Sequence, residues 1–404
     1  MSERFQLVVV GAGLLGLSTA YQILIERPDL NVRVLDKEAR VATHQSGHSS
    51  GVIHAGVYYE PGSLKARLCV EGRRDLLAFA DAHSIAYRRC GKLIVAVRRD
   101  ELGRLGALGE RAVANGVPGV TELGPDDIAD AEPHAVGVRA LLVPGTAVID
   151  FAEVARSYAD EVVGRGGTVV LGTRVLRMTS KGRQQVLHTS TGDEVADGVI
   201  TCAGLHADRL SGQRPAGGGP QIMPFRGDYY TLRPAARHLV RGLIYPVPNP
   251  ALPFLGVHFT RRIDGEVWAG PNAVLALARE GYGRSTLNLA ELAATLRFPG
   301  FWRLARRFWR TGVGEVWRDV VKGAFVRELQ RFIPSLDASE LDFGPSGVRA
   351  QAVGRDGRML DDFCITASPT LIQVRNAPSP GATASLAIGR HLAQVALRTL
   401  AIPT

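Results

Sequence analysis

Three glycines near the start of the chain have the spacing that a dinucleotide requires. Gly11, Gly13 and Gly16 form the pattern G-x-G-x-x-G between an apolar run at residues 6–10 and a helical pattern that ends near residue 26. In such a strand–turn–helix, the first glycine permits the tight turn, the second lets a pyrophosphate approach the backbone, and the third lets helix and strand pack closely. Amide N–H groups and the positive end of the helix dipole then bind the pyrophosphate.

Asp36 supplies the acidic residue that this motif needs. It lies 20 residues after Gly16, at the end of a second apolar run, where a carboxylate accepts hydrogen bonds from ribose hydroxyls. Because both the strand and the carboxylate are in place, the sequence predicts that a dinucleotide binds here. A purely structural glycine turn is the alternative, and it leaves the position of Asp36 unexplained. The pattern alone does not distinguish FAD from NAD.

Three further segments favour FAD. Residues 44–51 are small and polar, which suits a backbone that wraps around a pyrophosphate and a flavin, and residues 200–204 predict a strand that ends in a small-residue turn. Residues 376–383 precede the last helix, whose N-terminus would direct positive charge at the flavin edge that becomes anionic on reduction. The predicted FAD contacts are Gly11, Gly13, Leu14, Leu15, Gly16, Asp36, Lys37, His44, Gln45, Ser46, Ser50, Gly51, Val175, Ala203, Gly204, Pro378, Gly381, Ala382 and Thr383.

These motifs require a sheet of parallel strands covered by helices. Apolar runs and helical patterns alternate early in the chain, Asp150 is a predicted N-cap of a helix at 150–164, and short alternating strands dominate 225–270. The sequence therefore predicts an α/β fold in which a Rossmann-type FAD-binding domain is interleaved with an α+β substrate domain built on an antiparallel sheet. The FAD-binding domain comprises residues 1–90, 146–215 and 340–404, and the substrate domain comprises 91–145 and 216–339, with a Gly- and Pro-rich crossing loop at 212–220.

Positive charge is concentrated in one stretch of the chain. The net charge is +9, and residues 297–334 carry eight Arg and one Lys against three acidic residues, together with three of the four Trp. Two hypotheses explain this composition: a helix that lies on an anionic lipid surface, or a helix that packs its aromatic residues inward while its arginines stay solvated. No recognisable nucleic-acid-binding module accompanies the charge, so nucleic acid is not an expected partner.

Size and cysteine usage limit the class of protein. The 404 residues suffice for two or three domains, and no apolar run approaches the roughly 20 residues of a membrane span. The four Cys lie far apart, so we expect reduced thiols and no metal site. The first residues lead directly into a strand, which argues against a signal peptide. We expect a cytoplasmic protein, with a peripheral position at the inner face of the cell membrane as the alternative.

The segments together resemble the D-amino-acid-oxidase-like (DAO) family of FAD-dependent oxidoreductases. Residues 47–59 (GHSSGVIHAGVYY) and 61–66 (PGSLKA) narrow the resemblance to the L-2-hydroxyglutarate oxidase/dehydrogenase group of that family. Four shorter motifs, at 224–227, 253–258, 270–273 and 347–351, point to the same group. The resemblance covers essentially the whole chain in the same order. It departs in the glycine-rich segment before Pro220, which touches no motif.

The resemblance implies oxidation of L-2-hydroxyglutarate, or a close 2-hydroxy acid, to 2-oxoglutarate. A hydride moves from the α-carbon to FAD while a base removes the hydroxyl proton, and oxygen or a membrane quinone takes the electrons. Such a reaction needs a cation for the α-carboxylate and a second site for the distal acid. Arg349 lies in a G-x-R segment where relatives hold a substrate carboxylate, and its planar fork matches that group. A structural ion pair is the alternative role of Arg349.

The remaining site residues follow from their chemistry. His258 and His54 are the candidates for the base, because imidazole titrates near neutral pH. Lys65 and Tyr59 are the candidates for the distal carboxylate, and Gln351 is grouped with Arg349 as substrate-binding.

Three alternative functions stay open at this point. The nearest is an amine oxidase of the same fold that acts on a 2-amino acid. The second is an NAD-dependent dehydrogenase. The third is a membrane-surface or nucleic-acid-binding protein that keeps a vestigial nucleotide fold.

Overall fold

A computed structural model describes residues 4–210, 219–250 and 254–402. Most of the predicted crossing loop at 212–220 therefore lies outside the described residues, as do the first three residues and Pro253 of the 253–258 motif. None of the helices within the described ranges combines the length and the apolar composition that crossing a bilayer requires.

Helices follow the amphipathic segments of the sequence. The helix predicted at 150–164 is present, and the Asp150 carboxylate accepts a hydrogen bond from the Ala152 N–H at 2.8 Å, as its predicted N-cap role requires. The α-helices of the described ranges are α1 (Leu14–Glu26), α2 (Leu64–Ala82), α3 (Leu102–Ala114), α4 (Pro125–Ala131), α5 (Phe151–Gly164), α6 (Leu289–Leu296), α7 (Pro299–Val320), α8 (Lys322–Leu329) and α9 (Ser385–Thr399).

The first sheet carries the dinucleotide motif on parallel strands. Its order is β10-β11-β12-β1-β2-β9, with β20 beside β12 and β19 beside β20. Strand β1 pairs in parallel with both β12 and β2, so the turns after these strands meet at one edge of the sheet. The strands are β1 (Arg4–Val10), β2 (Val32–Leu35), β9 (Thr168–Val170), β10 (Val175–Lys181), β11 (Gln184–Thr189), β12 (Gly192–Thr201), β19 (Cys364–Ser368) and β20 (Leu371–Asn376).

A nine-stranded sheet and a small three-stranded sheet form the rest of the strand structure. The larger sheet has the order β17-β13-β16-β15-β14-β5-β7-β6, and β18 pairs with β13 along its length. Its strands are β5 (Leu93–Ala96), β6 (Thr121–Leu123), β7 (Arg139–Leu142), β13 (Gln221–Leu232), β14 (Leu243–Pro246), β15 (His258–Arg261), β16 (Val267–Gly270), β17 (Val274–Leu275) and β18 (Leu341–Val353). The small sheet contains β3 (Val52–Ile53), β4 (Tyr87–Arg89) and β8 (Ala147–Ile149).

Several strands have no counterpart in the sequence patterns. Strand β10 is one of them, because most of its residues are exposed, and β18 is another, because Gly and Pro interrupt its apolar residues. Strand β18 pairs with the nine-stranded sheet although it lies within 340–404, the range that we assign to the FAD-binding domain. The division into domains stays a prediction.

Helices α1 and α9 pack against each other at a contact that requires glycine. A Cβ added to Gly389 would lie 2.7 Å from the backbone of Ser18. The Ser18 hydroxyl donates to the Ser385 carbonyl at 2.9 Å, which adds a hydrogen bond between the two helices. This contact brings the N-terminal ends of both helices close to the edge of the first sheet where its parallel strands end.

Helix α7 contains most of the basic aromatic stretch and exposes its tryptophans. Trp302, Trp309 and Trp317 are 58%, 59% and 58% exposed, whereas Leu304 is buried. The hypothesis that the helix packs its aromatic residues inward is therefore wrong for the three tryptophans. The phenylalanines of the stretch behave differently, because Phe298, Phe301 and Phe308 pack against a buried cluster.

The Gly11 turn offers a test of the backbone contact on which the first sheet depends. Gly11 has φ +113°, and a Cβ there would lie 2.4 Å from the Cys202 carbonyl oxygen, so we expect Gly11→Ala to lower the free energy of unfolding by roughly 1–3 kcal/mol. Chemical denaturation measures this loss. Gly106→Ala is the control, because Gly106 lies in α3 with no atom within 4 Å of the added Cβ. Equal stability of the Gly11→Ala and wild-type proteins would contradict the contact.

Candidate functional site

A cavity of about 1560 Å³ lies between the first sheet and the nine-stranded sheet. One end is lined by the turns that follow β1, β2 and β12. The other end is lined by side chains from β13, β15 and β18 and from the segment before α9. A dinucleotide at the first end and a small molecule at the second would therefore share one continuous space.

The dinucleotide end has the hydrogen-bonding pattern of a diphosphate and ribose site. The Ala12 N–H donates to Asp36 Oδ2 at 2.6 Å, and the Glu38 N–H donates to Oδ1 of the same carboxylate at 2.9 Å. These bonds fix the carboxylate and leave it further acceptor positions. Gly13 is the N-cap of α1 and supplies no side-chain cap, and Ser46 accepts a hydrogen bond from the Leu14 N–H at 3.0 Å.

A cluster of charged side chains surrounds Lys37 beside this end. Lys37 Nζ lies 2.7 Å from Glu280 Oε1 and 2.9 Å from His44 Nε2, and it also contacts Glu38. The hydrogen bond from His206, at 2.8 Å, and that from Lys37 lower the pKa of Glu280 to about 2. The ammonium group of Lys37 is therefore paired with the carboxylates of Glu38 and Glu280 before any ligand binds.

Aromatic stacking holds the loop that follows the second strand. The rings of His48 and Tyr282 stack with centroids 4.1 Å apart, and His44 stacks on the same tyrosine at 5.9 Å. His48 Nδ1 donates to the Ser346 carbonyl at 2.9 Å. His44 and His48 thus hold the loop at residues 44–51 through their contacts with Tyr282, which is the partner that the sequence did not reveal.

Arg349 extends from β18 into the opposite end of the cavity. Its side chain is exposed, and its guanidinium lies 5.2 Å from the centroid of the Phe254 ring. Within residues 4–210, 219–250 and 254–402 the guanidinium has no ion-pair partner, so the alternative of a structural ion pair finds no support there. A guanidinium without a counter-ion at a cavity wall is suited to a carboxylate ligand.

His258 has the protonation pattern of a base. Its Nδ1 lies 2.9 Å from the Gly256 carbonyl oxygen, which can only accept, so Nδ1 carries the proton and Nε2 is left as an acceptor. Burial lowers the pKa of His258 to about 3, and the charges of Arg349 and Lys92 lower it further against the opposing hydrogen bond to Gly256. The imidazole is therefore neutral at physiological pH.

His54 is held differently. Its backbone N–H donates to Thr383 Oγ1 at 3.0 Å, whereas its side-chain Nδ1 is buried without a partner in the described structure. Burial, followed by the charge of Lys92, lowers the pKa of His54 to about 3. Because no contact within the described ranges selects its tautomer, His54 lacks there the fixed acceptor nitrogen that His258 has. Thr383 links the His54 loop to the segment before α9.

Lys65 and Tyr59 lie together at the rim of the cavity. Lys65 Nζ is 5.6 Å from the centroid of the Tyr59 ring and 2.9 Å from Asp361 Oδ1. The Asp361 side chain is 98% exposed, so this ion pair is weak and open to exchange. Gln351 lines the same cavity, but its amide nitrogen donates to the Ala352 and Leu360 carbonyls, which leaves only Oε1 for a ligand.

The structure brings nearly all the predicted site residues to this cavity. Gly16 and Gly51 are the exceptions, because they act beneath it: a Cβ on Gly16 would lie 1.9 Å from the Gly11 carbonyl oxygen, and one on Gly51 would lie 2.8 Å from that of Ile149. The predicted residues that line the cavity are Gly11, Gly13, Leu14, Leu15, Asp36, Lys37, His44, Gln45, Ser46, Ser50, His54, Tyr59, Lys65, Val175, Ala203, Gly204, His258, Arg349, Gln351, Pro378, Gly381, Ala382 and Thr383.

Comparison with known proteins decides the family. A family model described as DAO, FAD dependent oxidoreductase, matches residues 6–395. The chain belongs to this family. The predicted α/β fold class, FAD as the cofactor and an oxidoreductase activity are thereby confirmed.

Several proteins of known name are similar in sequence to this chain over nearly its whole length. It is 44% identical to L-2-hydroxyglutarate dehydrogenase of Indibacter alkaliphilus, over 98% of this chain and 99% of the relative. It is 42% identical to the mitochondrial L-2-hydroxyglutarate dehydrogenase of Homo sapiens, over 97% of this chain and 88% of the relative. A similar solved structure is L-alpha-glycerophosphate oxidase from Mycoplasma pneumoniae with FAD bound, with a TM-score of 0.78, 20% identity, and coverage of 97% of this chain and 94% of that chain. That structure supports the fold.

The residues at the dinucleotide end fit FAD. A Cβ on Gly13 would lie 3.1 Å from Ser46 Oγ, so the glycine keeps the first turn of α1 open to a diphosphate. The carboxylate of Asp36 is placed for a ribose, and the segment before α9 lines the same cavity beyond it. In a DAO-family protein, Gly13 and Asp36 would hold the adenosine diphosphate part of FAD, and the segment before α9 would hold its ring system.

Several residues of the site carry no sequence signal. Glu280 and Tyr282 join the cofactor end from a loop 240 residues away in the chain, and Arg375 lines the cavity with a buried, unpartnered Nε. Lys92 affects both histidines although it belongs to no motif. A lysine directly before the apolar run 93–96 is the one sign of it, and that sign is too common to identify a site.

Proposed function

We propose that this enzyme oxidises L-2-hydroxyglutarate to 2-oxoglutarate. The observation that carries the proposal is that an unpaired guanidinium, Arg349, and a neutral imidazole with an acceptor nitrogen, His258, line the same end of the FAD cavity. Support for the substrate comes from relatives of 42–45% identity, which are named L-2-hydroxyglutarate dehydrogenase.

In the proposed reaction, Arg349 binds the α-carboxylate with its two parallel N–H groups and so orients the hydroxyl-bearing carbon. Bound FAD would supply the hydride acceptor for that carbon. His258 Nε2 takes the hydroxyl proton, and its Nδ1–H stays on the Gly256 carbonyl, which keeps the ring from turning. The negative charge of a bound dicarboxylate raises the basicity of His258 from its low value in the free protein.

Lys65 is our candidate for the distal carboxylate. It is 8% exposed, and its exposed partner Asp361 can give way to a substrate carboxylate. The Tyr59 ring lies 5.6 Å from the lysine Nζ, so its face can stabilise the positive charge. Gln351 would contribute through Oε1 alone. These roles would make the enzyme selective for a five-carbon diacid over a monocarboxylate, because only the diacid reaches both cations.

Flavin reduction tests the substrate and the role of Arg349. We expect anaerobic L-2-hydroxyglutarate to bleach the blue absorption of the holoprotein, and the D-isomer and L-amino acids to leave it unchanged. Arg349→Lys loses the bidentate fork and should weaken substrate binding by roughly tenfold to a hundredfold. Arg233→Lys, at an exposed ion pair with Asp342, is the control. Bleaching by amino acids alone would instead indicate an amine oxidase, and an unchanged Michaelis constant in Arg349→Lys would exclude its role.

A second experiment decides which histidine is the base. His258→Gln should slow flavin reduction by roughly 10²–10⁴-fold with little change in substrate affinity, because the proton acceptor is lost. His54→Gln should have a clearly smaller effect on the same rate. Stopped-flow absorbance under anaerobic conditions measures both. The opposite ranking of the two variants would transfer the role of base to His54.

We also propose that α7 docks this cytoplasmic enzyme on the anionic inner face of the cell membrane, where a quinone takes the electrons. The supporting observation is the exposed apolar face of α7, which combines the three tryptophans with Val313, Val316 and Val320 at 63%, 54% and 74% exposure. Arg303, Arg306, Arg307 and Arg310 lie on the same helix. Such a helix inserts aromatic residues at the headgroup level while its arginines attract acidic lipids.

Vesicle binding tests the docking surface. The holoprotein should sediment with phosphatidylglycerol vesicles and not with neutral ones, and the triple variant Trp302→Ser, Trp309→Ser, Trp317→Ser should bind roughly tenfold more weakly or less. The control replaces three exposed apolar residues elsewhere, Val113, Val163 and Leu176, with Ser. Equal vesicle binding by the wild type, the triple Trp variant and the control would contradict α7 as the docking surface.

The electron acceptor is tested separately. Rapid reoxidation of the reduced enzyme by oxygen, with none by a quinone analogue, would contradict a quinone as the acceptor.

A further inference from the structure

Lys92 is a buried lysine behind the substrate end of the cavity. It directly precedes β5, and two hydrogen bonds with the backbone of Val143, at 3.1 and 2.8 Å, fix its position. Its side chain is 1% exposed, and Nζ has no hydrogen-bond partner in the described structure. A buried charged group without a partner is rare in proteins, because its desolvation is uncompensated.

Two tyrosines of the cavity wall lie against the amine. Nζ is 4.4 Å from the ring centroid of Tyr58 and 5.1 Å from that of Tyr245. The Tyr245 ring in turn stacks on His258 with centroids 3.9 Å apart. The Tyr58 hydroxyl and His54 Nδ1 are also buried without partners in the part of the chain that the structure describes. Three buried polar groups without partners among the described residues thus lie at the cavity wall, as for Tyr58 and His54, or directly behind it, as for Lys92.

The environment makes the proton on Lys92 responsive to charge in the cavity. Burial lowers the pKa of Lys92 to about 7, and Cys69 on α2 acts weakly in the opposite direction. The rings of Tyr58 and of Tyr245 on β14 face the amine, and the charges of Lys92 and Arg349 both lower the pKa of His54 and of His258. An anion in the cavity would therefore favour the protonated form.

A dicarboxylate brings two negative charges to this region. Arg349 is free to pair with one of them, whereas Lys65 must give up its ion pair with Asp361 to bind the other, and both histidines are neutral. A further positive charge close to the cavity would stabilise the bound dianion, and the low polarity of the surroundings would strengthen that interaction.

We propose that Lys92 is a positioning residue that takes up a proton from solvent as the dicarboxylate binds and so supplies a further positive charge through the Tyr58 and Tyr245 rings. The inference rests on the proposed function and adds a charge-balancing group that does not touch the substrate. At most one proton enters per molecule bound, when the amine is neutral beforehand, and the same proton leaves to solvent when the dianion dissociates.

Glutarate is the probe, because it has both carboxylates and no hydroxyl to oxidise. Isothermal titration of the FAD-loaded protein, between about pH 6 and pH 9 in buffers of different ionisation enthalpy, gives the affinity and the number of protons taken up separately. The variants are Lys92→Met, which is uncharged and of similar length, and Lys92→Arg, which stays charged. Lys181→Met, at an exposed hairpin, is the control.

The wild-type protein should take up more protons, and bind glutarate more weakly, as the pH rises above about 7, because the amine must then be charged on binding. Lys92→Met should bind glutarate about tenfold more weakly at low pH and lose the pH dependence above 7, with a smaller effect on butyrate. Lys92→Arg should bind well over the whole range with no proton uptake. Lys181→Met should behave as wild type.

Unchanged glutarate affinity and proton uptake in Lys92→Met would overturn the inference. If Lys92→Met does not retain FAD, Lys92→Arg decides, and wild-type pH dependence in that variant overturns it equally. Flavin reduction of the wild type by L-2-hydroxyglutarate separates this result from the proposed function. If L-2-hydroxyglutarate reduces the wild-type flavin but the Lys92 variants bind glutarate as the wild type does, only the role of Lys92 is overturned. If the wild type is not reduced and binds no glutarate, both the role of Lys92 and the proposed function are overturned.

Discussion

The backbone contact between the Gly11 turn and Cys202 is the constraint on which the site depends. Strands β1 and β12 run side by side in parallel, so the turns that follow them emerge at one edge of the sheet, and no side chain fits between them. This contact sets the position of the N-terminus of α1 and of the small-residue turn at Ala203 and Gly204. Both then face the same cavity, which makes the edge of the sheet a binding site for a diphosphate.

Electrostatics divide the cavity into two ends with different tasks. At the cofactor end, amide groups and a fixed carboxylate favour a polar dinucleotide, and the ammonium group of Lys37 is paired with the carboxylates of Glu38 and Glu280. At the other end, positive charge is left unbalanced on Arg349, and burial keeps His258 and His54 neutral. The protein thus supplies an attractive site for an acid together with a group that can accept a proton, which is what oxidation of a 2-hydroxy acid requires.

Helix α7 is anchored on one side and exposed on the other. Asp319 on the helix pairs with Arg226 of β13 at 3.2 Å and accepts a hydrogen bond from Asn272 at 2.8 Å. These buried contacts tie the helix to the nine-stranded sheet that also carries Arg349 and His258. The tryptophan face is exposed, with Trp302 donating to the Leu296 carbonyl at 2.7 Å. The proposed lipid surface and the proposed substrate surface therefore belong to one sheet and its covering helix.

The sequence by itself determined the cofactor end, since G-x-G-x-x-G and Asp36 act through local backbone geometry that a short segment specifies. It also indicated Arg349, His258 and Lys65, although only as chemical types on separate segments. Tertiary structure alone decided that His258 rather than His54 has a fixed acceptor nitrogen, that Glu280 and Tyr282 complete the cofactor end, and that Lys92 lies unpaired behind two tyrosines. The reason is physical: tautomer, charge balance and desolvation depend on which residues meet across sheets, and spacing along the chain does not encode those meetings.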